Sequence, residues 1–235
     1  MSTALFKQAL KAVEHFDSPR AIAFALVGIH AYLHKFSGDS EVRHVREILA
    51  DRLFNQFKSN ASENWPWIES TLNYANGKLS HALLLSGQWM QHSDMIDIGL
   101  KSLKWLVNIQ TEDGHFVPIG NNGWYEKDGL KARFDQQPIE AHTMIEACVE
   151  AFNVTRDRTW IDNAVMCFNW YLGHNDLNMS LYDPKTGGCR DGLLADGINQ
   201  NEGAESSLAW LLSLMTMQKL YADVILKQAS SPPTG

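Results

Sequence analysis

The feature that most constrains this chain is an alternation in its connections. Apolar residues recur at helical spacing nearly everywhere. The spacing predicts eight helices, over about residues 3–16, 19–35, 39–59, 78–92, 94–110, 138–154, 157–173 and 203–226. Pro19 and Pro138 stand at helix starts, where a missing N–H costs little, and Asp39, Ser93 and Asp157 are placed to cap others. After the second, fourth and sixth helices the links are short: FSGDS, QHSD and NVTRD. After the third, fifth and seventh they run to about 18, 27 and 29 residues. The first link, DSPR, is short and breaks the alternation. Helices joined by short links run antiparallel, so all three long loops gather at one end of the bundle. The pattern predicts an array of helical hairpins with a repeat near 60 residues, and Trp65 and Trp124, 59 residues apart, fit that period. Strand alternation of useful length is not expected.

Composition bounds the rest. With 235 residues, 45% of them hydrophobic, the chain can build one core, expected over residues 1–227, with a disordered tail QASSPPTG over 228–235. A net charge of −7 and the lack of a basic stripe argue against nucleic acid as a partner. No apolar run approaches the length of about 18 residues that a membrane span needs. The amphipathic N-terminus has no secretory pattern, and three cysteines without a paired framework fit a reducing cytoplasm. The sequence has no CxxC, no HExxH and no phosphate-binding glycine loop, so neither a metal nor another cofactor is expected.

Long loops need a reason, and disorder is a poor one for loops this rich in Trp, Tyr and Phe. Their composition suits a sugar, with aromatic faces against its C–H face and amides or carboxylates on its hydroxyls. Trp65, Trp67, Tyr74, Trp124 and Tyr125 are candidate platforms, and Asn122, Gln136, Arg190, Asn201, Glu202 and Glu205 are candidate polar contacts. Glycoside hydrolysis needs two carboxyl groups, one protonated and one ionised, and Asp135, Glu140, Asp191 and Glu69 are the acid/base candidates. Bland roles compete: each tryptophan as a plug, Glu140, Glu202 and Glu205 as helix-start residues, and Asp183 and Asp191 as turn residues. Asp135 precedes its helix by several residues, so capping explains it poorly. His30 and His34 have a metal-pair spacing without a third ligand. Cys148 and Cys167 read as small core residues, Cys189 as a nucleophile only if a base lies near, and Glu146 and Glu150 as a solvated helix pair.

The runs SPRAIAFALVGIHAYL, NWPWIESTLNYANGKLSHALLLSG, GHFVPIGNNGWYEKDG, ARFDQQPIEA, YDPKTGGCRDGL and NQNEGAESSLAWL resemble a bacterial all-helical domain. That domain is often the C-terminal part of proteins called glycosyltransferases, and also stands alone near genes for mannoside-active enzymes. It is similar to the six-hairpin glycosidase group, whose (α/α)6 toroids hold sugars in a funnel at one end. The resemblance implies an all-α toroid and an oligosaccharide or glycoside as partner. Members carry about two more hairpins upstream, with a Cys-Thr-Asp-Asp-Asn-Ala-Arg motif that this chain lacks. The expectation is therefore about four hairpins, an incomplete barrel whose end flanks are apolar and exposed. A separate chain supplying the missing hairpins, or a homodimer, would cover them. Three functions remain open: a glycoside hydrolase, a non-catalytic glycan-binding or accessory module of a glycosyltransferase, and a truncated scaffold that needs a partner.

Overall fold

The structure is a computed structural model that describes residues 2–229, with side chains described over residues 3–224. Among these, eight helices carry the fold: α1 Ser2–Val13, α2 Pro19–Lys35, α3 Ser40–Asn60, α4 Gly77–Met90, α5 Ser93–Ile109, α6 Pro138–Thr155, α7 Thr159–Tyr171 and α8 Ala204–Ala229. Residues 230–235 of the expected tail lie outside the described residues, while α8 already includes its first two, Gln228 and Ala229.

Local chemistry sets the helix ends. Pro19 and Pro138 occupy first-turn positions of α2 and α6. Asp39 caps α3 by accepting from the Val42 N–H at 3.3 Å, and Asp157 accepts from the Thr159 N–H at 3.0 Å as α7 begins. Ser93 does not cap α5, as its sequence position had suggested. It is already helical, and the His92 ring takes the cap, accepting from the Met95 N–H through Nδ1 at 3.4 Å. Gln91 and Arg156 close α4 and α6 in the left-handed conformation, with φ of 54° and 60°.

The helices pair as α2 with α3, α4 with α5 and α6 with α7. Successive pairs join through α2, α4, α6 and α8, which form an inner row packed side by side. Helix α4 sits in the middle of that row, so every residue from Gly77 to Gly87 is buried. Gly77 is required there: a Cβ would lie 2.6 Å from the Thr143 backbone, so only glycine lets α4 approach α6 so closely. Helix α1 lies apart from the row, with Leu10 buried and Phe6 stacked on Tyr32 at 4.3 Å. The core runs between inner and outer helices and extends under the first long loop. There Trp67, fully buried, meets Phe57 edge-on and stacks on Trp105.

The three long loops are ordered by one another. β1 (Thr71–Leu72) of the first pairs antiparallel with β4 (Tyr125–Glu126) of the second; β2 (Thr111–Glu112) and β3 (His115–Phe116) form a hairpin beside them. In the third, β5 (Gly192–Leu194) pairs with β6 (Gly197–Asn199). Gln136, at the end of the second loop, exchanges backbone hydrogen bonds with Leu193 in the third, at 3.0 and 2.9 Å. These strands are two or three residues long, too short to alternate visibly in sequence. They stitch the loops into a rim over the N-termini of α4, α6 and α8.

Candidate functional site

The rim is built on a polar network at the inner-helix N-termini. Arg20, in the first turn of α2, donates to both Glu69 carboxylate oxygens at 2.6 and 2.5 Å, to the Tyr74 carbonyl at 2.6 Å and to Asn76 Oδ1 at 3.0 Å. Glu140, in the first turn of α6, accepts from the Ala75 N–H at 2.6 Å and from Asn76 Nδ2 at 3.5 Å. It is 2% exposed. Burial pushes its carboxyl up to about 7, although the N–H groups of Ala75 and Asn76 and the Arg20 charge pull the other way.

The second and third loops hold two further networks. Gln136 is fully buried; its Oε1 accepts from the Trp170 indole at 2.7 Å, and its Nε2 donates to Arg133 O at 2.8 Å and Asp176 Oδ2 at 2.7 Å. Asp176 also meets His115 Nε2 at 2.9 Å and Arg133 at 2.6 Å. Burial acts to raise the Asp176 carboxyl, but those three partners outweigh it and hold it below its ordinary value. Asp191 accepts from the Gly203 N–H at 2.7 Å and from Asn201, fastening the entry to α8. Arg190 reaches Asp183 at 2.5 Å, Gln200 O at 2.6 Å and Glu202 at 3.2 Å.

The expected site residues therefore separate into two sets. Glu69, Glu140, Asp191, Gln136, Arg190 and Glu202 are engaged in the rim's own bonds. Trp65 and Trp67 offer no face to a ligand, being 5% and 0% exposed, which corrects their reading as platforms; their rings plug the loop onto α3 and α5. Tyr125 is half-buried, edge-on to Trp65. Asp135 differs. It is half-buried with φ of 58°, and among the described residues its carboxylate accepts no hydrogen bond and forms no ion pair. Tyr74 is exposed under the Arg20 guanidinium, Asn122 is exposed, and Trp124 is half-exposed in a left-handed turn. Asn201 and Glu205 are exposed at the start of α8.

A second polar site lies on the inner helices themselves, and sequence spacing did not find it. Glu146 of α6 is ion-paired with Lys78 of α4, whose side chain is 5% exposed. His142 Nε2 lies 3.4 Å from the same carboxylate oxygen, and Ser213 of α8 meets His142 Nδ1 at 3.4 Å. His81 Nδ1 stands 3.8 Å from it, buried and without a hydrogen-bond partner. Burial keeps His81 neutral down to about 3. Burial acts to raise the Glu146 carboxyl, but its interactions with His81, Lys78 and His142 outweigh burial and hold it well below its ordinary value. The expectation of a solvated Glu146–Glu150 pair is thus wrong: Glu146 is the hub of a buried charged cluster, and burial raises the Glu150 carboxyl. The cluster opens into a cleft of about 700 Å³ between α6 and α8, lined also by Asn153, Thr216 and Lys219. Helical spacing gave no pointer to it, because the partner of Glu146, Lys78, lies 68 residues away on another helix.

Among the described residues, no group of three or more His, Cys, Asp or Glu is placed to hold a metal ion, and no helix is long and apolar enough to cross a membrane. Cys148, Cys167 and Cys189 are free and buried; burial, with the nearby Asp191 and Glu202 charges adding to it, pushes the Cys189 thiol up to about 12.

No family model and no curated protein sequence matches the chain. Among solved structures it is similar to a GH76 alpha-mannanase from Bacteroides thetaiotaomicron, with 15% identity and a TM-score of 0.59. The match covers 90% of this chain and 57% of the mannanase, so the chain spans little more than half of that protein's length. The fold is thus an (α/α) toroid of helical hairpins like the mannanase's, with α2, α4, α6 and α8 as its inner helices.

Proposed function

We propose that this chain is a carbohydrate-active module on a glycosidase-like scaffold, and that it grips an oligosaccharide at the long-loop rim. The observation that carries this reading is the separation of the rim residues. A rigid frame of bonded carboxylates holds the loops, while Asp135, Tyr74, Asn122 and Trp124 keep free polar or aromatic groups at the surface. Such a preorganised mixture of ring faces and acceptors suits a pyranose. A binding or accessory role beside a glycosyltransferase fits a rim whose acids are mostly spent on structure. Free, buried thiols are consistent with a reducing compartment.

Thermal-shift titration with mannosides and glucosides tests the reading, because a ligand that binds only the folded state raises its melting temperature. Asp135→Asn should keep the fold and weaken the responding sugar about tenfold, the cost of one hydrogen bond to a charged group. A series in which no sugar shifts the wild type, or in which Asp135→Asn binds as well, removes the rim site.

Glycoside hydrolysis is the second reading, and one observation favours it. Glu146, held ionised, and Glu150, pushed toward its protonated form, share the α6 face of the cleft one turn apart. Opposed carboxyl environments of this kind assign a base and an acid. Loss of measurable glycosidase turnover in Glu150→Gln, with folding intact, would support this reading; unchanged turnover would remove it.

A further inference from the structure

The cleft between α6 and α8 lies toward the far end of the inner helices from the rim. Residues 146–156 of α6, Arg158 in the link to α7 and residues 216–224 of α8 supply its walls, with His81 of α4 at its inner end. His81 is 7% exposed, and its Nδ1 has no hydrogen-bond partner. A buried polar atom left unpaired is costly, so a ligand group that bonds this ring recovers what the free protein forgoes. The ring stays neutral, 3.8 Å from the Glu146 carboxylate, and so offers one donor and one acceptor. A hydroxyl matches that pair, whereas an anion beside Glu146 does not. The mouth has the opposite character. Arg156, Arg158 and Lys219 line it and are exposed, and among the described residues none of the three forms an ion pair. Arg156 covers only the Phe152 ring, at 5.5 Å. Two acids, Glu150 and Asp223, share the lining, while Glu146 is already paired with Lys78. Glu150 accepts from Asn153 at 3.4 Å, and burial pushes it toward its protonated form. The lining therefore leans positive in a chain whose net charge is −7. The end of α6 and the start of α7 meet here, so their dipoles offset and leave the side chains to set the sign.

We infer that this cleft is a second ligand site, separate from the rim, and that it takes a sugar carrying one anionic group, a phosphate or a carboxylate. The hydroxyls enter first, toward His81, and the anion stays at the mouth among Arg156, Arg158 and Lys219. Val149 and Leu220 give the ring's C–H face an apolar wall. A volume of about 700 Å³ suits a ligand of that size. Such binding needs no turnover, so it stands whether or not Glu146 and Glu150 act as base and acid, and it owes nothing to the rim.

Isothermal titration of the full chain with glucose 6-phosphate, mannose 6-phosphate and glucuronate, against glucose and inorganic phosphate, tests the site. At least one anionic sugar should bind about tenfold or more tighter than either glucose or phosphate alone, and which one responds identifies the anion. Added salt should weaken it. Lys219→Gln, and Arg156→Asn, which tolerates the left-handed φ of 60°, should each lower that affinity about tenfold with circular dichroism unchanged. His81→Phe should remove most of the advantage of the sugar over inorganic phosphate. Both mouth positions are exposed, so their variants decide the site even where His81→Phe does not fold. Asp135→Asn should bind the anionic sugar as wild type does, which keeps this result distinct from any result at the rim. Four outcomes overturn the proposal: no anionic sugar binds, glucose or phosphate alone binds as tightly, both mouth variants keep wild-type affinity, or Asp135→Asn alone loses it.

Discussion

Glu140 Oε1 accepts a hydrogen bond from the Ala75 backbone N–H at 2.6 Å, tying the first turn of α6 to the loop that enters α4. The two residues are 65 apart in sequence, so this bond fixes the spacing of two inner helices at the rim.

Because Glu140 is raised to about 7 from 4.5, the folded protein holds more protons than the unfolded chain between those values. Its contribution is fully present below 4.5 and is lost as pH rises through 7. At about 1.4 kcal/mol per unit, the loss is on the order of 3 kcal/mol. His81, buried neutral, gives an opposite slope up to its ordinary 6.5, so the comparison must be with a variant. Glu140→Gln keeps an acceptor for Ala75 and cannot ionise. Its stability relative to wild type, from urea midpoints, should rise steadily from acid to mildly alkaline buffer. A constant difference would place the Glu140 carboxyl in the ordinary range.

The Lys78–Glu146 pair should behave as a unit. With Lys78 only 5% exposed, Glu146→Gln leaves a buried ammonium unpaired. The expected cost is about 3–5 kcal/mol, and Lys78→Met should cost a similar amount. The double variant Lys78→Met with Glu146→Gln should lose much less than the sum, because no charge is stranded. Acid should act similarly on wild type: Glu146 is depressed, so its contribution holds above 4.5 and is lost as pH falls further. Additive denaturation free energies across the cycle would mean that the two groups are independently solvated.

Asp135 separates binding from backbone geometry. Its φ of 58° is left-handed, which asparagine and glycine tolerate and alanine resists at roughly 1–2 kcal/mol. Asp135→Asn and Asp135→Gly should therefore match wild type in urea midpoint, while Asp135→Ala falls below it. Equal midpoints for alanine and glycine would show that the turn relaxes.

How much of this was legible depended on whether the partner was local. The eight helices, the long-loop end and the core cysteines follow from spacing and composition, which act within one or two turns. Asp39 as a cap was readable because its partner, Val42, is three residues on. Glu146 was not, because Lys78 and His81 come from another helix and no periodicity reports which inward face meets which. Glu140 read both as an acid/base candidate and as a helix-start residue, and only the fold reveals that its acceptors serve a different loop. Trp65 and Trp67 had the right chemistry for sugar platforms, but composition does not say whether a loop ring faces out or down.

The cysteines give the last test, and it bears on chemistry at the rim. Cys148, Cys167 and Cys189 are fully buried, and burial raises each thiol well above 9.0. The thiolate is the reactive form, so native protein at mildly alkaline pH should react with an aromatic disulfide reagent only as fast as it opens. All three should react at once in concentrated guanidinium. Rapid labelling of Cys189 alone would show that its glycine-rich loop opens without global unfolding. The Asp183–Arg190 and Asp191–Gly203 bonds that hold this loop over α8 would then be too weak to keep it shut. Slow labelling of all three would confirm that the third loop is as rigid as the helices it covers, which is what a preformed sugar rim requires.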